Sequence, residues 1–144
     1  MRSLKKQNIP TALVTSGEQW KVNEVIHQLG IDGMFTAQVT AGDIQRGKPH
    51  PECYLLAAQY LQKPPEQCIV FEDSISGVKA AVASGALCIG IGLSSMTPSL
   101  LQAGARYVVL DFTSISLLAR ENDAQTAPIL RIGAEHSLPL SSGQ

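Results

Sequence analysis

Hydrophobic and polar residues follow two different periods along this chain, and their alternation predicts an α/β fold. Short β-branched or apolar runs, typical of buried strands, separate longer stretches in which apolar residues recur every three or four positions. Strands are predicted at residues 11–15, 37–40, 68–71, 86–91 and 107–110. Strands that alternate with helices are typical of a parallel sheet covered by helices.

Each predicted helix has an apolar face that indicates its buried side. Before Gly30 that face consists of Val22, Val25, Ile26 and Leu29. Over residues 52–62 it consists of Cys53, Leu56, Ala57, Tyr60 and Leu61. Before Gly85 it consists of Ile75, Val78, Ala81 and Val82, and a last helical face is predicted at Ile115, Leu118 and Ala119. The pattern then fades, so residues 1–120 are predicted to form the core domain and residues 121–144 a polar tail.

Composition narrows the class of protein. The 144 residues are 44% hydrophobic and 16% charged, which suits one compact domain. A formal net charge of −1 provides no basic surface for nucleic acid or an anionic membrane. The longest apolar stretch, around residues 86–93, is far shorter than the roughly 18 residues of a membrane span. Three widely spaced cysteines in apolar surroundings predict reduced thiols and a cytoplasmic protein.

Polar side chains follow the first predicted strand, at Thr15-Ser16-Gly17. The carboxyl ends of parallel strands meet at one edge of a sheet, where ligands bind. A hydroxyl and free backbone N–H groups near the start of a helix suit a phosphate group. The alternative is that Ser16 only caps the following helix.

A second cluster is the loop Gly47-Lys48-Pro49-His50-Pro51. Two prolines stiffen the loop, which would hold the ammonium of Lys48 in place to neutralise a phosphoryl oxygen. The alternative is a solvated surface lysine. A lone loop histidine such as His50 is more often neither a metal ligand nor a substrate ligand.

The third cluster, Glu72-Asp73-Ser74, follows the most hydrophobic strand. Two adjacent carboxylates near a core need a compensating cation, and oxygen ligands suit Mg²⁺. The alternative makes Asp73 or Ser74 the N-cap of the next helix, and the two roles can coexist.

In their order along the chain, these clusters resemble three motifs of the haloacid dehalogenase-like (HAD) phosphohydrolase superfamily. The motifs are Thr15-Ser16-Gly17 after a strand, Gly47-Lys48-Pro49 in a loop, and Glu72-Asp73-Ser74 with Gly77 after a strand. Residues 40–52, 70–74 and 80–85 are similar to the β-phosphoglucomutase-like branch, which includes sugar-phosphate phosphatases. The resemblance covers residues 9–118 and implies a three-layer, Rossmann-like parallel sheet with helices on both faces.

The resemblance also implies a role for each site residue. Thr15 and the backbone amide of Ser16 would hold the phosphate, and Lys48 would steady the phosphate and the nucleophile. Glu72 and Asp73 would position Mg²⁺. The implied activity is Mg²⁺-dependent hydrolysis of a small sugar or polyol phosphate, through an aspartyl-phosphate in the complete enzyme.

The sequence departs from the family at one motif. The family begins with a hydrophobic strand that ends in Asp-x-Asp-Gly, whose first Asp is the nucleophile, and the sequence contains no such segment. The helical cap inserted after that motif is not found either. In the family that strand lies in the middle of the sheet, between the strands that end at Thr15 and Asp73. We therefore expect two unpaired strand edges, open to a partner strand or to self-association.

Three hypotheses follow for the chain. It is the C-terminal core portion of a HAD-like phosphatase, a non-catalytic pseudo-enzyme or binding module that keeps affinity for phosphate or Mg²⁺, or the product of a truncated gene model. In each case the expected ligand is a small phosphorylated metabolite.

Overall fold

A computed structural model of the chain describes residues 2–118, 129–133 and 136–139. Within these ranges the α-helices are α1 (Arg2–Lys6), α2 (Gln19–Gln28), α3 (Glu52–Tyr60), α4 (Ile75–Ser84) and α5 (Thr97–Ala103). The strands are β1 (Ala12–Val14), β2 (Ala37–Val39), β3 (Ile69–Glu72), β4 (Leu87–Ile91), β5 (Tyr107–Val109), β6 (Ile115–Leu118), β7 (Ile129–Ile132) and β8 (His136–Pro139). Single turns of 3₁₀ helix cover Ala41–Asp43, Pro65–Gln67, Ser94–Met96 and Phe112–Ser114.

The parallel strands form two separate sheets. β1 pairs with β2, and β3, β4 and β5 form a second sheet in that order. One layer of helices joins them, because α3 contacts β1 and β2 and packs against α4, which contacts β3 and β4. In the described part of the chain β1 and β3 therefore have one hydrogen-bonded neighbour each, as predicted for a sheet without its central strand.

Strand residues beside the break between the two sheets are less buried than those in the middle of the three-stranded sheet. In β4, which has a strand on each side, Cys88, Ile89 and Gly90 are buried. In β1 all three residues are only half-buried, and so are the first three residues of β3. The edges of β1 and β3 thus keep apolar surface that an adjacent strand would cover.

The two faces of the three-stranded sheet pack against different layers. Residues alternate between the faces, as the twofold period of a strand requires. Val70, Cys88 and Val108 join the core cluster that contains α3, α4 and α5. Ile69, Phe71, Leu87, Ile89, Tyr107 and Val109 join a second cluster with Leu130 and Ile132. The outer layer on this second face is an antiparallel meander of β6, β7 and β8.

The meander corrects two predictions for the C-terminal region. The predicted helical face at Ile115 and Leu118 belongs to strand β6, and Ala119 lies outside the described residues. The polar tail predicted from residue 121 includes β7 and β8. Apolar residues at every second position, such as Leu130 and Ile132, pack on the sheet and favour a strand. The domain boundary at residue 120 stays a prediction.

The buried face of α3 differs from its prediction by one position. Tyr60, predicted to be buried, is 46% exposed, whereas Tyr54 is 7% exposed. α3 packs against the β1–β2 sheet on one side and α4 on another. Because two sides of the helix are covered, adjacent residues are buried together. These are Cys53 with Tyr54 and Ala57 with Ala58.

Two other predicted helix faces are only partly buried. In α2, Val22 and Ile26 are buried but Val25 and Leu29 are exposed. In α4, Val78 and Ala81 are buried, while Ile75 and Val82 are exposed. The end of α4 follows its prediction more closely, since the helix ends at Gly85, which has the positive φ that glycine tolerates.

The cysteines carry unpaired thiols, of which Cys53 and Cys88 are buried and Cys68 is half-buried. Among the described residues, no helix combines the length and the apolar character that crossing a membrane requires.

Candidate active site

The break between β1 and β3 opens into a cavity of about 630 Å³ at the carboxyl ends of these strands. All five predicted site residues line it: Thr15, Ser16, Lys48, Glu72 and Asp73. Its remaining lining includes the apolar side chains of Val14, Phe71, Ile91 and Phe112. The structure therefore brings the three sequence clusters together, and their roles stay predictions.

At the end of β1 the chain forms a tight turn. The Thr15 N–H donates to Val39 O at 3.0 Å, which extends the pairing with β2. The Thr15 hydroxyl accepts a hydrogen bond from the Gly17 N–H at 3.0 Å. α2 begins only at Gln19, with Glu18 as its N-cap. The alternative that Ser16 caps this helix is therefore wrong, and Ser16 lines the cavity instead.

The Lys48 loop is closed by a residue that the sequence analysis missed. The carboxylate of Glu52, in the first turn of α3, accepts the N–H of Gln45 at 2.8 Å and that of Arg46 at 2.9 Å. His50 accepts the Glu52 N–H through Nδ1 at 3.2 Å, so it has a structural contact in the loop. These bonds fix the loop backbone beside Lys48.

Lys48 is not a solvated surface lysine, because its side chain is only 15% exposed. Its ammonium donates to Oε1 of Glu72, whose side chain is 6% exposed. An isolated buried charge would be unfavourable by several kcal/mol, so each group requires the other. An ammonium has three N–H donors, which leaves donors for a ligand in the cavity.

Glu72 accepts four hydrogen bonds. Oε1 accepts from Lys48 and from the Tyr54 hydroxyl, and Oε2 accepts from the Ser74 N–H at 3.3 Å and the Ser74 hydroxyl at 3.0 Å. Burial by itself would raise the pKa of Glu72, but the bonds from Lys48 and Tyr54 and the charge of Lys48 outweigh it and lower the pKa. Glu72 is thus a buried, ionised anchor.

Ser74 and Gly77 complete the support of Glu72. The Ser74 hydroxyl accepts the Gly77 N–H at 3.0 Å and caps α4, which confirms the capping alternative for Ser74, while the metal role of this strand end stays a prediction. A Cβ at residue 77 would overlap the carboxylate of Glu72. Only glycine leaves room for the anchor at this point of α4.

Tyr54 is the main site residue that the sequence analysis missed. Burial, and then its hydrogen bond to Glu72, raise the pKa of its hydroxyl, so it stays a neutral donor. The ammonium of Lys48 also lies 5.1 Å from the centre of its ring. Tyr54 lies outside the apolar face that the sequence predicts for this helix, so the pattern did not single it out.

Asp73 differs from Glu72 in being exposed at the cavity. A carboxylate there is a suitable ligand for Mg²⁺, which prefers oxygen. The described ranges contain no group of three or more His, Cys, Asp and Glu side chains that could hold a metal on their own. Asp73 could therefore supply part of a metal's coordination, with the rest from other oxygens.

Hydroxyl, ammonium and carboxylate groups gathered at the carboxyl ends of parallel strands define an α/β protein with a polar cavity at the sheet edge where such proteins bind ligands. The chain belongs to the haloacid dehalogenase-like hydrolase family, whose family model matches residues 1–85. The predicted family and the Rossmann-like α/β class are both confirmed.

Individual relatives lie in the sugar-phosphatase and β-phosphoglucomutase-like branch. Hexitol phosphatase A of Escherichia coli is 39% identical over 97 residues, which are 67% of this chain and 44% of that protein. A solved structure from Thermotoga maritima, provisionally named a β-phosphoglucomutase, is 37% identical with a TM-score of 0.72, over 75% of this chain and 51% of that one.

A second solved structure contains phosphate. It is a HAD family hydrolase of Deinococcus radiodurans with bound phosphate and sodium, 29% identical with a TM-score of 0.70, over 78% of this chain and 52% of that one. The chain thus spans about half the length of the relatives it matches.

Proposed function

We propose that this chain is the C-terminal core portion of a Mg²⁺-dependent phosphatase that hydrolyses small phosphorylated sugars or polyols. The observation that carries the proposal is the convergence of Thr15, Ser16, Lys48 and Asp73 on one cavity. The similarity to hexitol phosphatase A supports a carbohydrate-like substrate.

Phosphate would bind at the carboxyl end of β1. The Thr15 hydroxyl accepts from Gly17, so its proton can be donated to a phosphate oxygen. The Ser16 N–H has no acceptor among the described residues and offers a second donor. Lys48 supplies positive charge at the same cavity.

We expect Mg²⁺ to bind at Asp73, with Glu72 beside it. Glu72 could become a direct ligand only by giving up bonds from Ser74. When bound, the ion would neutralise charge on the phosphoryl oxygens. Phosphate oxygens, water and other oxygen ligands would complete its coordination.

The break between β1 and β3 is where we place a strand that carries the nucleophile. Among the described residues, each of the two strands has a partner on one edge only, and both border the same cavity, so one parallel strand would pair with both. Apolar residues such as Val14 and Phe71 favour an apolar strand. Insertion of one strand would supply hydrogen-bond partners to both edges at once.

The reaction would proceed through an aspartyl-phosphate. A carboxylate oxygen of the first Asp on the inserted strand bonds to phosphorus while the P–O bond to the sugar breaks, and the sugar oxygen takes a proton from the carboxyl group of the second Asp. Water then gives a proton back to that second Asp and attacks phosphorus, which breaks the acyl-phosphate bond, releases phosphate and restores both carboxyl groups. Lys48 would balance negative charge in both steps.

The test joins to the N-terminus an apolar strand that ends in Asp-x-Asp-Gly; we refer to the product as the strand-fused chain. Phosphate release is measured with Mg²⁺ on a panel of hexitol and hexose phosphates. We expect turnover by the strand-fused chain and none by the unfused chain, because covalent catalysis requires the added carboxylate.

Two control variants identify the source of any turnover. In the strand-fused chain, Lys48→Ala should lower the rate by about 10²–10³-fold, and replacing the first added Asp by Asn should abolish it. Phosphate binding without hydrolysis would favour a binding module. Turnover by the unfused chain that disappears in Lys48→Ala would refute the requirement for the strand.

We also propose a cytoplasmic location. Unpaired thiols at Cys53, Cys68 and Cys88 support it, because cysteines stay reduced in that compartment.

A further inference from the structure

The hydroxyl of Tyr54 shares its acceptor with the ammonium of Lys48, since both donate to Oε1 of Glu72. We propose that Tyr54 is a positioning residue, which fixes the Glu72 carboxylate and, through it, the ammonium of Lys48 at the cavity. The functional meaning of this positioning rests on the proposed role of Lys48 in binding phosphate.

Lys48 requires such support because its side chain has four rotatable bonds and its charged group is compact. An ion pair with a carboxylate that could rotate would leave the ammonium several positions. Glu72 cannot rotate in this way, because Tyr54 holds Oε1 and Ser74 holds Oε2. Gly77 lies so close to the carboxylate that it leaves no room for movement on that side.

The ring of Tyr54 adds a second restraint. Lys48 Nζ lies 5.1 Å from the ring centre, within the range of a cation–π contact. Glu52, two residues before Tyr54, holds the backbone of the Lys48 loop through Gln45 and Arg46. The first turn of α3 therefore fixes both the loop and the ammonium of Lys48.

A simpler role for Tyr54 is to fill the core, with its hydroxyl satisfied by the nearest acceptor. Tyr54 is 7% exposed and belongs to the main core cluster, so this role must be distinguished from positioning. The two roles differ in what the loss of the hydroxyl alone would change. Positioning predicts an effect on Lys48 while the surrounding core stays closed.

The experiment uses the full 144-residue chain and measures the rate of reductive methylation of individual lysines by mass spectrometry. Exposed Lys79 on α4 is the internal reference. A buried ammonium bonded to a carboxylate should react slowly, so Lys48 is expected to lag behind Lys79. Tyr54→Phe, which keeps the ring, should raise the Lys48 rate about tenfold, as expected for the loss of a hydrogen bond to a charged group.

Two controls separate positioning from damage to the core. Tyr60→Phe removes a hydroxyl from the exposed end of the same helix and should leave the Lys48 rate unchanged. The thiols of Cys53 and Cys88, each 2% exposed, report on opening of the core and should stay as unreactive in Tyr54→Phe as in the wild type.

The outcomes are decisive for Tyr54. A Lys48 rate that does not change in Tyr54→Phe overturns the proposal, and so does a wild-type Lys48 that reacts as fast as Lys79. A rise in Lys48 reactivity accompanied by reactive Cys53 and Cys88 shows a structural role and overturns it as well.

A separate arm adds inorganic phosphate. If Lys48 binds phosphate, phosphate should slow its methylation in the wild type and do so less in Tyr54→Phe. Absence of this protection would count against the proposed function, yet the comparison without phosphate would still test the positioning by Tyr54.

Discussion

Gly77 faces the carboxylate of Glu72 so closely that a single additional carbon at residue 77 would overlap it. Glu72 in turn holds Lys48, which lines the proposed phosphate site. A glycine in the first turn of α4 thus determines where a cation of a neighbouring loop can lie.

We predict that Gly77→Ala displaces Glu72. The residue lies in a buried part of α4, where inserting a methyl group lowers the free energy of unfolding by about 1–3 kcal/mol. Urea unfolding of the strand-fused chain measures the effect. Gly42→Ala is the matched control, because a Cβ there meets no atom within 4 Å, and it should change stability little. Equal stability of the two variants would contradict the proposed tight fit.

A second prediction concerns pH. The backbone N–H and then the hydroxyl of Thr40 donate to Asp43 and lower its pKa below the ordinary 3.8. A carboxyl with a lowered pKa in the folded state stabilises that state above the unfolded pKa, and this contribution is lost as pH falls through the folded pKa. The free-energy difference between wild type and Asp43→Asn should therefore shrink below pH 3.8.

Urea unfolding of the strand-fused chain between about pH 3 and pH 6 tests this dependence of stability on the ionisation of Asp43. This pH range spans the ordinary pKa of an aspartate. Thr40→Val is a partial control, because it removes the hydroxyl donor but keeps the backbone N–H. It should reduce the pH dependence by less than Asp43→Asn does. A difference from wild type that stays constant with pH in Asp43→Asn would contradict the assigned cause.

A third prediction is that the unfused chain binds Mg²⁺ only weakly. With Asp73 as the exposed carboxylate of the cavity, we expect a Kd in the millimolar range or weaker, about −4 kcal/mol or less favourable. Calorimetry should detect no binding in Asp73→Asn, and none when Glu72→Gln is added to it. Asp32→Asn, an exposed carboxylate beside His27, should bind like the wild type. A micromolar Kd would be the contrary result.

The strand–helix alternation could be predicted because β-branched runs and helical faces differ in period. The prediction failed at Ile115–Leu118, where an apolar residue every second position favours a strand and one every third favours a helix. Four residues fit both periods, and the packing of Ile115 and Leu117 against the cluster of Ile89, Leu130 and Ile132 favours the strand.

The convergence of the five candidate site residues on one cavity could be predicted, because each belongs to a motif at a strand end or in a stiff loop. The contacts of Tyr54 and Glu52 could not be predicted from the sequence. They form because one face of α3 turns toward Glu72 and the Lys48 loop. That face depends on how α3 packs between β1, β2 and α4, and a shift of one residue in the predicted face hides Tyr54.

The last prediction concerns folding and follows from the break in the sheet. β1 and β3 keep half-buried apolar residues and one unpaired edge each within the described structure. Burying one large apolar side chain contributes roughly 1.5–3 kcal/mol, so several such residues together match the 5–15 kcal/mol stability typical of a domain. We therefore expect the unfused chain to unfold over a broad, concentration-dependent range.

The strand-fused chain should instead unfold in a sharp transition, because the added strand supplies two rows of ladder hydrogen bonds and covers Val14 and Phe71. Thermal unfolding of both chains at several concentrations provides the comparison. A fused segment of the same length with its apolar residues replaced by serine is the control and should restore nothing. A sharp, concentration-independent transition of the unfused monomer would show that the two sheets are stable across the break, and that the cavity between them requires no added strand.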